Sequence, residues 1–121
     1  MNASLAGAVT EAIGHRTDHG EWRVYAYCLM PDHLHLALSP APGKGGLQHL
    51  LQGFKSYTTR LAWKQGLQGV LWQRSYYDHV ARREEDAAAI CRYILQNPAR
   101  KGLVADAAAW PFSGTPDSIP G

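Results

Sequence analysis

Two histidines, His33 and His35, stand two residues apart in a stretch that alternates with leucine. In a β-strand successive side chains point to opposite faces, so the histidines share one face and Leu34, Leu36 and Leu38 share the other. The imidazoles would lie about 7 Å apart along the strand. Imidazole is a common ligand of divalent metals, which makes this pair a candidate half of a metal site. The alternative is a pair of ordinary histidines on a polar face.

A phenol and an amide stand four residues apart at Tyr93 and Asn97, in a stretch with helical periodicity. Residues at this spacing share one face of a helix. If that face lay over the histidines, two imidazoles and an amide oxygen could hold a divalent cation that keeps positions open for water or phosphate. The phenol would then be a candidate nucleophile, since it needs a metal or a base to activate it. Singly, Tyr93 also suits a half-buried helix tyrosine, and Asn97 a helix stop.

The N-terminal half of the chain contains the elements that would carry the histidines. An apolar stripe from Leu5 to Ile13 predicts a first helix, which Gly14 and the polar run up to Gly20 would end. The segments 22–29 and 33–39 are rich in β-branched, aromatic and alternating residues, and they predict two strands of a hairpin.

The C-terminal half contains the elements that would carry the phenol and the amide. Segment 47–64 has a buried stripe at helical spacing and predicts a long helix. Segment 70–80 predicts a third strand, and segment 82–97 a third helix with acidic residues in its first turn. Pro98 must end that helix, because proline disfavours helical geometry in the residue before it.

Four stretches of the chain resemble the signatures of the HUH single-tyrosine transposases. They are Met30–His35, the helix around Phe54–Tyr57, Leu71–Val80, and Tyr93–Pro98 followed by Gly102–Val104. They occur in the family's order and cover the chain from about Trp22 to Val104. Leu71–Val80 and Tyr93–Pro98 are most similar to the REP-associated tyrosine transposases, a domesticated branch related to insertion-sequence transposases.

The resemblance implies a specific chemistry. It assigns the metal-binding histidines to His33 and His35, the third metal ligand to Asn97 and the nucleophile to Tyr93, with Mg²⁺ or Mn²⁺ as the metal. The reaction would be transesterification of single-stranded DNA at hairpin sequences through a 5′-phosphotyrosine intermediate. The partner would be single-stranded or hairpin DNA, and a second copy of the chain, in a homodimer, is a further candidate partner. The expected location is the cytoplasm, at the nucleoid.

Candidate DNA contacts are basic side chains that could meet phosphates and aromatic side chains that could stack on bases. They are Lys55, Arg60, Trp72, Arg74, Tyr76, Tyr77, Arg82, Arg83, Arg100 and Lys101. The alternative is a solvated surface for the basic residues and a place in the core for some of the aromatic ones.

The resemblance also implies a fold. We expect one α+β domain over residues 1–121, with its core at about 22–104, a tail at 105–121, and a ferredoxin-like antiparallel sheet that has helices on one face. Family members begin with a central strand that this chain lacks, which would leave an open row of backbone groups beside the strand of His33 and His35. An upstream start, pairing with a second chain, a decayed copy, or replacement by the tail after Leu103 would each account for the difference.

Composition limits the other classes of protein. The formal net charge of +2 over 121 residues allows nucleic acid as a partner without requiring it. No apolar run approaches the 18 or so residues of a membrane span, and the N-terminus has no signal-peptide pattern. Cys28 and Cys91 form no spacing pattern and are expected to be buried free thiols in a reducing cytoplasm.

Two rival functions belong to other classes. A non-catalytic or truncated protein could bind hairpin DNA without turnover. A small zinc hydrolase could use the His-x-His pair, although the sequence contains no evident third strong ligand.

Overall fold

The computed structural model describes residues 3–31, 34–67, 76–79 and 87–117, with segment 76–79 described by its backbone alone. In chain order the elements are α1 (Ala3–Asp18), β1 (Trp22–Leu29), β2 (Leu34–Pro40), α2 (Leu47–Lys64), β3 (Tyr76–His79), α3 (Ala87–Leu95), α4 (Asn97–Arg100), a 3₁₀ turn (Ala107–Ala109) and β4 (Ser113–Gly114). The predicted α+β class is confirmed.

The four described strands form one sheet in the order β3-β2-β1-β4. β1 pairs antiparallel with both β2 and β4, while β2 pairs parallel with β3. The expectation of an open edge beside the histidine strand is wrong, because β2 has β1 on one side and β3 on the other. The backbone groups of β2 are therefore supplied with ladder partners on both sides.

One face of the sheet carries the larger core. Leu34, Leu36 and Leu38 of β2 are fully buried there against α1 and α2, and Phe54 of α2 packs with Trp22 at 5.5 Å between ring centroids. The predicted face of alternating leucines is confirmed. Burial of side chains of this size contributes about 1.5–3 kcal/mol each, which makes this layer the main source of stability.

The opposite face of the sheet is also covered, by α3. Ala26 and Cys28 of β1 and Ala37 of β2 are buried with Cys91 and Ile94 of α3. The helices thus lie on both faces of the sheet, not on one as expected. The physical reason is that the central strands carry small, apolar residues on this second face, which a helix can cover closely.

A β-bulge divides β1 between the two cores. The register with β2 shifts between Val24 and Ala26. Val24 belongs to the leucine side, whereas Ala26 and Cys28 belong to the α3 side, although all three stand at even positions. An extra residue in one strand reverses the alternation of its side chains, so the bulge lets β1 contribute to both cores.

The tail returns to the sheet and pairs with the second edge of β1. Leu29 donates its N–H to the carbonyl of Phe112 at 2.8 Å, and Asp117 accepts from the N–H of Val24 at 2.7 Å. A side chain on Gly114 would come within 3.0–3.2 Å of the Tyr27 ring, so glycine permits this close approach. The tail therefore pairs with β1 and does not fill the place beside β2, where the missing strand was expected and where β3 lies.

The first helix is longer than predicted. It continues past Gly14 to Asp18, since Gly14 does not adopt the positive φ that Gly20 has at the end of the helix. It ends where Gly20 adopts φ +71°, with Glu21 donating its N–H to the carbonyl of Arg16 at 3.0 Å. This is the hydrogen-bond pattern of a Schellman cap, in which glycine is favoured by its positive φ.

The other predicted elements agree with the structure as far as it describes them. β1 and α2 have the predicted bounds, and α3 ends at Leu95, before Pro98. Pro98 then lies in the first turn of α4, where its missing N–H costs nothing. Of the predicted strand 70–80, only Tyr76–His79 is described, and the start of the predicted helix 82–97 also lies outside the described residues.

We expect the Asp117→Ala substitution to lower the free energy of unfolding by about 1.5–3 kcal/mol, because it removes a charged acceptor from the N–H of Val24. Asp18→Ala, at an exposed position on α1, is the matched control and should change the free energy by less than about 0.5 kcal/mol. Urea unfolding measures both. Equal effects would contradict the docking of the tail on β1.

Candidate active site

The face of the sheet beneath α3 carries His35. His35 stands directly opposite Cys28 in the β1–β2 register, and Cys28 is buried in the α3-side core. Directly opposed residues of an antiparallel pair project on the same face, with Cβ atoms about 4.5–5.5 Å apart. His35 is half-buried, and both of its ring nitrogens are shielded from solvent. The prediction that His35 lies on the face opposite the leucines is therefore confirmed.

The predicted third ligand, Asn97, is the first residue of α4 and is buried, with 4% of its surface exposed. Its Oδ1 accepts a hydrogen bond from Nη2 of Arg100 at 3.0 Å. Its Nδ2 has no partner among the described residues. A buried amide nitrogen without a partner costs free energy, so this position is costly unless the site gains something from it.

The predicted nucleophile, Tyr93, lies on α3 and is 62% exposed. α3 packs on the sheet through Cys91 and Ile94, which leaves the Tyr93 ring at the edge of the covered face. The guanidinium carbon of Arg100 lies 3.9 Å from the centroid of this ring. The phenol is thus open to a large substrate while its ring is in contact with protein.

Arg100 contacts Tyr93 and Asn97, and its charge acts on Cys28, which stands opposite His35. Burial raises the pKa of the Cys28 thiol from 9.0 to about 11, and the positive charge of Arg100 acts in the opposite direction and lowers it. Arg100 is therefore close enough to act on a thiol that stands opposite His35, while it touches both Tyr93 and Asn97. The described members of the predicted quartet are thereby brought to one side of the sheet.

The fourth member, His33, lies outside the described residues. Among the residues that the structure does describe, no three His, Cys, Asp or Glu side chains cluster as a metal site. His35 and Asn97 offer an imidazole nitrogen and an amide oxygen, which are donors that a divalent cation accepts. The imidazole of His35 and the amide oxygen of Asn97 therefore fit part of the expected metal site by their donor chemistry.

The candidate DNA contacts are distributed over two layers. Arg100 and Lys101 are exposed beside Asn97, on the α3 side. Lys55 and Arg60 lie on α2, whose buried stripe packs against the leucine face, so they are across the sheet from Tyr93. The remaining candidates are not described in their side chains. They are Trp72, Arg74, Tyr76, Tyr77, Arg82 and Arg83.

Sequence comparison assigns the chain to a family. The model of the family described as "Transposase IS200 like" matches residues 1–97. The chain belongs to this IS200-like transposase family. The matched region contains all four residues of the predicted quartet, and it ends at Asn97.

Two proteins with curated descriptions are similar to the chain. A REP-associated tyrosine transposase of Escherichia coli K12 is 26% identical over 92 residues, which cover 76% of this chain and 53% of the relative. A Haemophilus influenzae protein provisionally given the same name is 27% identical over 106 residues, 79% of this chain and 60% of the relative. The chain is similar to both proteins, and it spans about half to three-fifths of their lengths. No solved structure matches the chain.

Two features of the site were not foreseen from the sequence. The contact of Arg100 with both Tyr93 and Asn97 was missed, although the three residues are spaced at 0, 4 and 7, which is a helical repeat. The place of Cys28 opposite His35 was also missed, because it depends on the strand register.

None of the helices in the described ranges combines the length and apolarity needed to cross a bilayer.

We expect the free energy of unfolding to fall as the pH rises from 9 to 11, partly through Cys28. The folded protein holds the thiol proton up to a pKa of about 11, above the ordinary 9.0, so the stabilisation is complete below pH 9 and is lost above it. One such group contributes a slope of about 1.4 kcal/mol per pH unit.

The comparison is with Cys28→Ala, measured by urea unfolding in reductant at pH 8 and 10.5. Burial also raises the pKa values of Cys91 and Tyr27. Both residues are present in both proteins, so their contributions to the pH dependence cancel in the comparison. The variant should lose less stability than the wild type over this range. Equal losses of unfolding free energy in the wild type and in Cys28→Ala would mean that α3 does not shield this face of the sheet from water.

Proposed function

We propose that the chain is a metal-dependent DNA strand transferase that cleaves and rejoins single-stranded DNA at hairpin, REP-like sequences. Tyr93 is the nucleophile, and His33, His35 and Asn97 hold Mg²⁺ or Mn²⁺. The protein works at the nucleoid in the cytoplasm. Membership of the IS200-like transposase family and likeness to REP-associated tyrosine transposases support the proposal.

The observation that carries the proposal is the convergence around Arg100. This side chain contacts the ring of Tyr93 and the amide of Asn97, and its charge reaches the thiol opposite His35. Tyr93 and Asn97 thus share Arg100 as a contact, and His35 lies on the face of the sheet that α3 covers, which supports one site. Catalysis of phosphoryl transfer depends mainly on such positioning and on charge.

The proposed cleavage balances its atoms and protons. The phenol oxygen of Tyr93 attacks phosphorus and loses its proton, the bond from phosphorus to the 3′ oxygen breaks, and that oxygen takes up a proton. A divalent cation at His33, His35 and Asn97 would polarise a non-bridging oxygen and lower the barrier by several kcal/mol. The phosphotyrosyl bond conserves the energy that hydrolysis would lose, so a 3′-OH can later rejoin the strand.

The electrostatics around Tyr93 favour an anionic substrate. From Ala87 to Lys101 the chain contains Arg92, Arg100 and Lys101 and no acidic residue. All three of these basic side chains are exposed. We propose that Arg100 and Lys101 meet the phosphates next to the cleaved bond, since each such contact strengthens binding in a salt-dependent way.

The second candidate is a non-catalytic protein that binds hairpin DNA. The chain spans 53–60% of its two REP-associated relatives, so the activity of those whole proteins is a proposal for this chain and binding without turnover is the alternative. A homodimer also remains a prediction.

The deciding experiment is covalent capture. The chain is incubated with a labelled single strand carrying a hairpin, with and without Mn²⁺, and the adduct is resolved on a denaturing gel. We expect an adduct that requires both Mn²⁺ and Tyr93. Tyr93→Phe should abolish it and leave hairpin affinity within about 3-fold, because the substitution removes one hydroxyl from an exposed ring.

Tyr57→Phe is the matched control, since Tyr57 is an exposed tyrosine on α2, across the sheet. It should form the adduct at the wild-type rate. His35→Ala and His33→Ala should lose cleavage together with its metal dependence. Hairpin binding without any adduct in the wild type would favour the non-catalytic candidate, and an adduct that survives Tyr93→Phe would show that another residue is the nucleophile.

A further inference from the structure

Arg100 makes two contacts that a simple phosphate-binding residue does not need. We propose that it is a positioning residue that fixes the ring of Tyr93 and the amide of Asn97 in one relative geometry. This inference rests on the proposed function of those two residues. Arg100 lies beyond the region that the family model matches. In this proposal it orders the site in the free protein, before DNA binds.

The geometry of the two contacts suits a guanidinium group. Its carbon lies 3.9 Å from the centroid of the Tyr93 ring, within the range of a cation–π contact. At the same time its Nη2 donates to Oδ1 of Asn97 at 3.0 Å. A planar, rigid fork can stack on a ring and donate sideways at once, whereas the ammonium of lysine is a point charge on a flexible stem.

The backbone explains why such a bridge is useful. Tyr93 belongs to α3, which ends at Leu95, and Asn97 begins the separate helix α4. Gln96 joins them with helical angles of φ −81° and ψ −5°, but Pro98 has no N–H to donate, so the backbone hydrogen bonds of the helix are interrupted at this junction. Arg100, on the last turn of α4, reaches back over this break and joins the two side chains.

The contact also orients the Asn97 amide. A carbonyl oxygen has two lone pairs, and the hydrogen bond from Arg100 uses one of them. The other lone pair remains available to a second partner, while the buried amide is prevented from rotating freely. Asn97 is thereby held ready as a ligand, and Tyr93, which is largely exposed, is restrained beside it.

The first test uses the protein without metal or DNA. We would record NMR spectra of tyrosine rings and side-chain amides in the wild type, Arg100→Ala, Arg100→Lys and Lys101→Ala. Lys101 is the matched control, because it is the adjacent exposed cation. Both Arg100 variants should shift the Tyr93 and Asn97 signals, and Lys101→Ala should leave them unchanged. Unchanged signals in Arg100→Ala would overturn the proposal.

The second test separates positioning from DNA affinity. At saturating hairpin DNA and Mn²⁺, the rate of adduct formation should fall at least about 10-fold in Arg100→Ala and in Arg100→Lys, because small misplacements of reacting groups are costly. Hairpin Kd and its salt dependence should change no more than in Lys101→Ala. Full rescue by Arg100→Lys, or a loss confined to Kd with a reduced salt slope, would make Arg100 a phosphate contact only.

The two tests fail independently of the proposed function. If the wild type forms no adduct, the strand-transferase proposal fails, while the NMR comparison still decides whether Arg100 restrains Tyr93 and Asn97. If the wild type forms the adduct and the Arg100 variants match it in rate, the strand transferase stands and the positioning role is overturned.

Discussion

The packing of α3 on the central strands is the contact on which the candidate site depends. Ala26, Cys28 and Ala37 offer a surface of small side chains, and Cys91 and Ile94 of the helix cover it. Larger residues on the strands would hold the helix away, because core packing leaves few voids and tolerates little added volume. The helix that covers this surface is also the helix that carries Tyr93, so the stability of the second core and the geometry of the site are linked.

The leucine face makes this arrangement possible. It gives the sheet its main core with α1 and α2, which leaves the second face free to carry His35 among small residues. The bulge at the start of β1 lets a single strand serve both cores, and the tail supplies partners along the outer edge of that strand. The polar site is therefore built on strands that are held on both faces and on both edges.

The sequence predicted what depends on local pattern. The bounds of β1 and α2, the leucine face and the end of α3 before Pro98 all follow from periodicity and backbone restriction, and each was found. The features that were missed depend on pairing between distant segments. The bulge in β1, the return of the tail through Asp117 and the cover of the second face by α3 are set by long-range contacts that no local pattern contains.

In the candidate site, too, local patterns predicted some features and long-range contacts determine the others. The spacing of His33 with His35 and of Tyr93 with Asn97 predicted the four candidate site residues. Only the fold could show that His35, Tyr93 and Asn97, which the structure describes, lie on one side of the sheet. Arg100 had been considered for its charge alone, since a cation near a phosphate site is the simplest reading of a basic residue. Its contacts with Tyr93 and Asn97 cross the junction of α3 and α4, and they were missed because the helix was predicted to stop at Asn97, before Arg100.

The most direct test of the central claim, that His35 and Asn97 belong to one metal site under α3, is NMR with substoichiometric Mn²⁺. Paramagnetic broadening should affect the ring of His35 and the side-chain amide of Asn97 first. The ring of His49, on α2 across the sheet, should stay sharp at the same ratio. Sharp His35 and Asn97 signals, with broadening confined to the exposed pair of His15 on α1 and His19 just after it, would contradict the account.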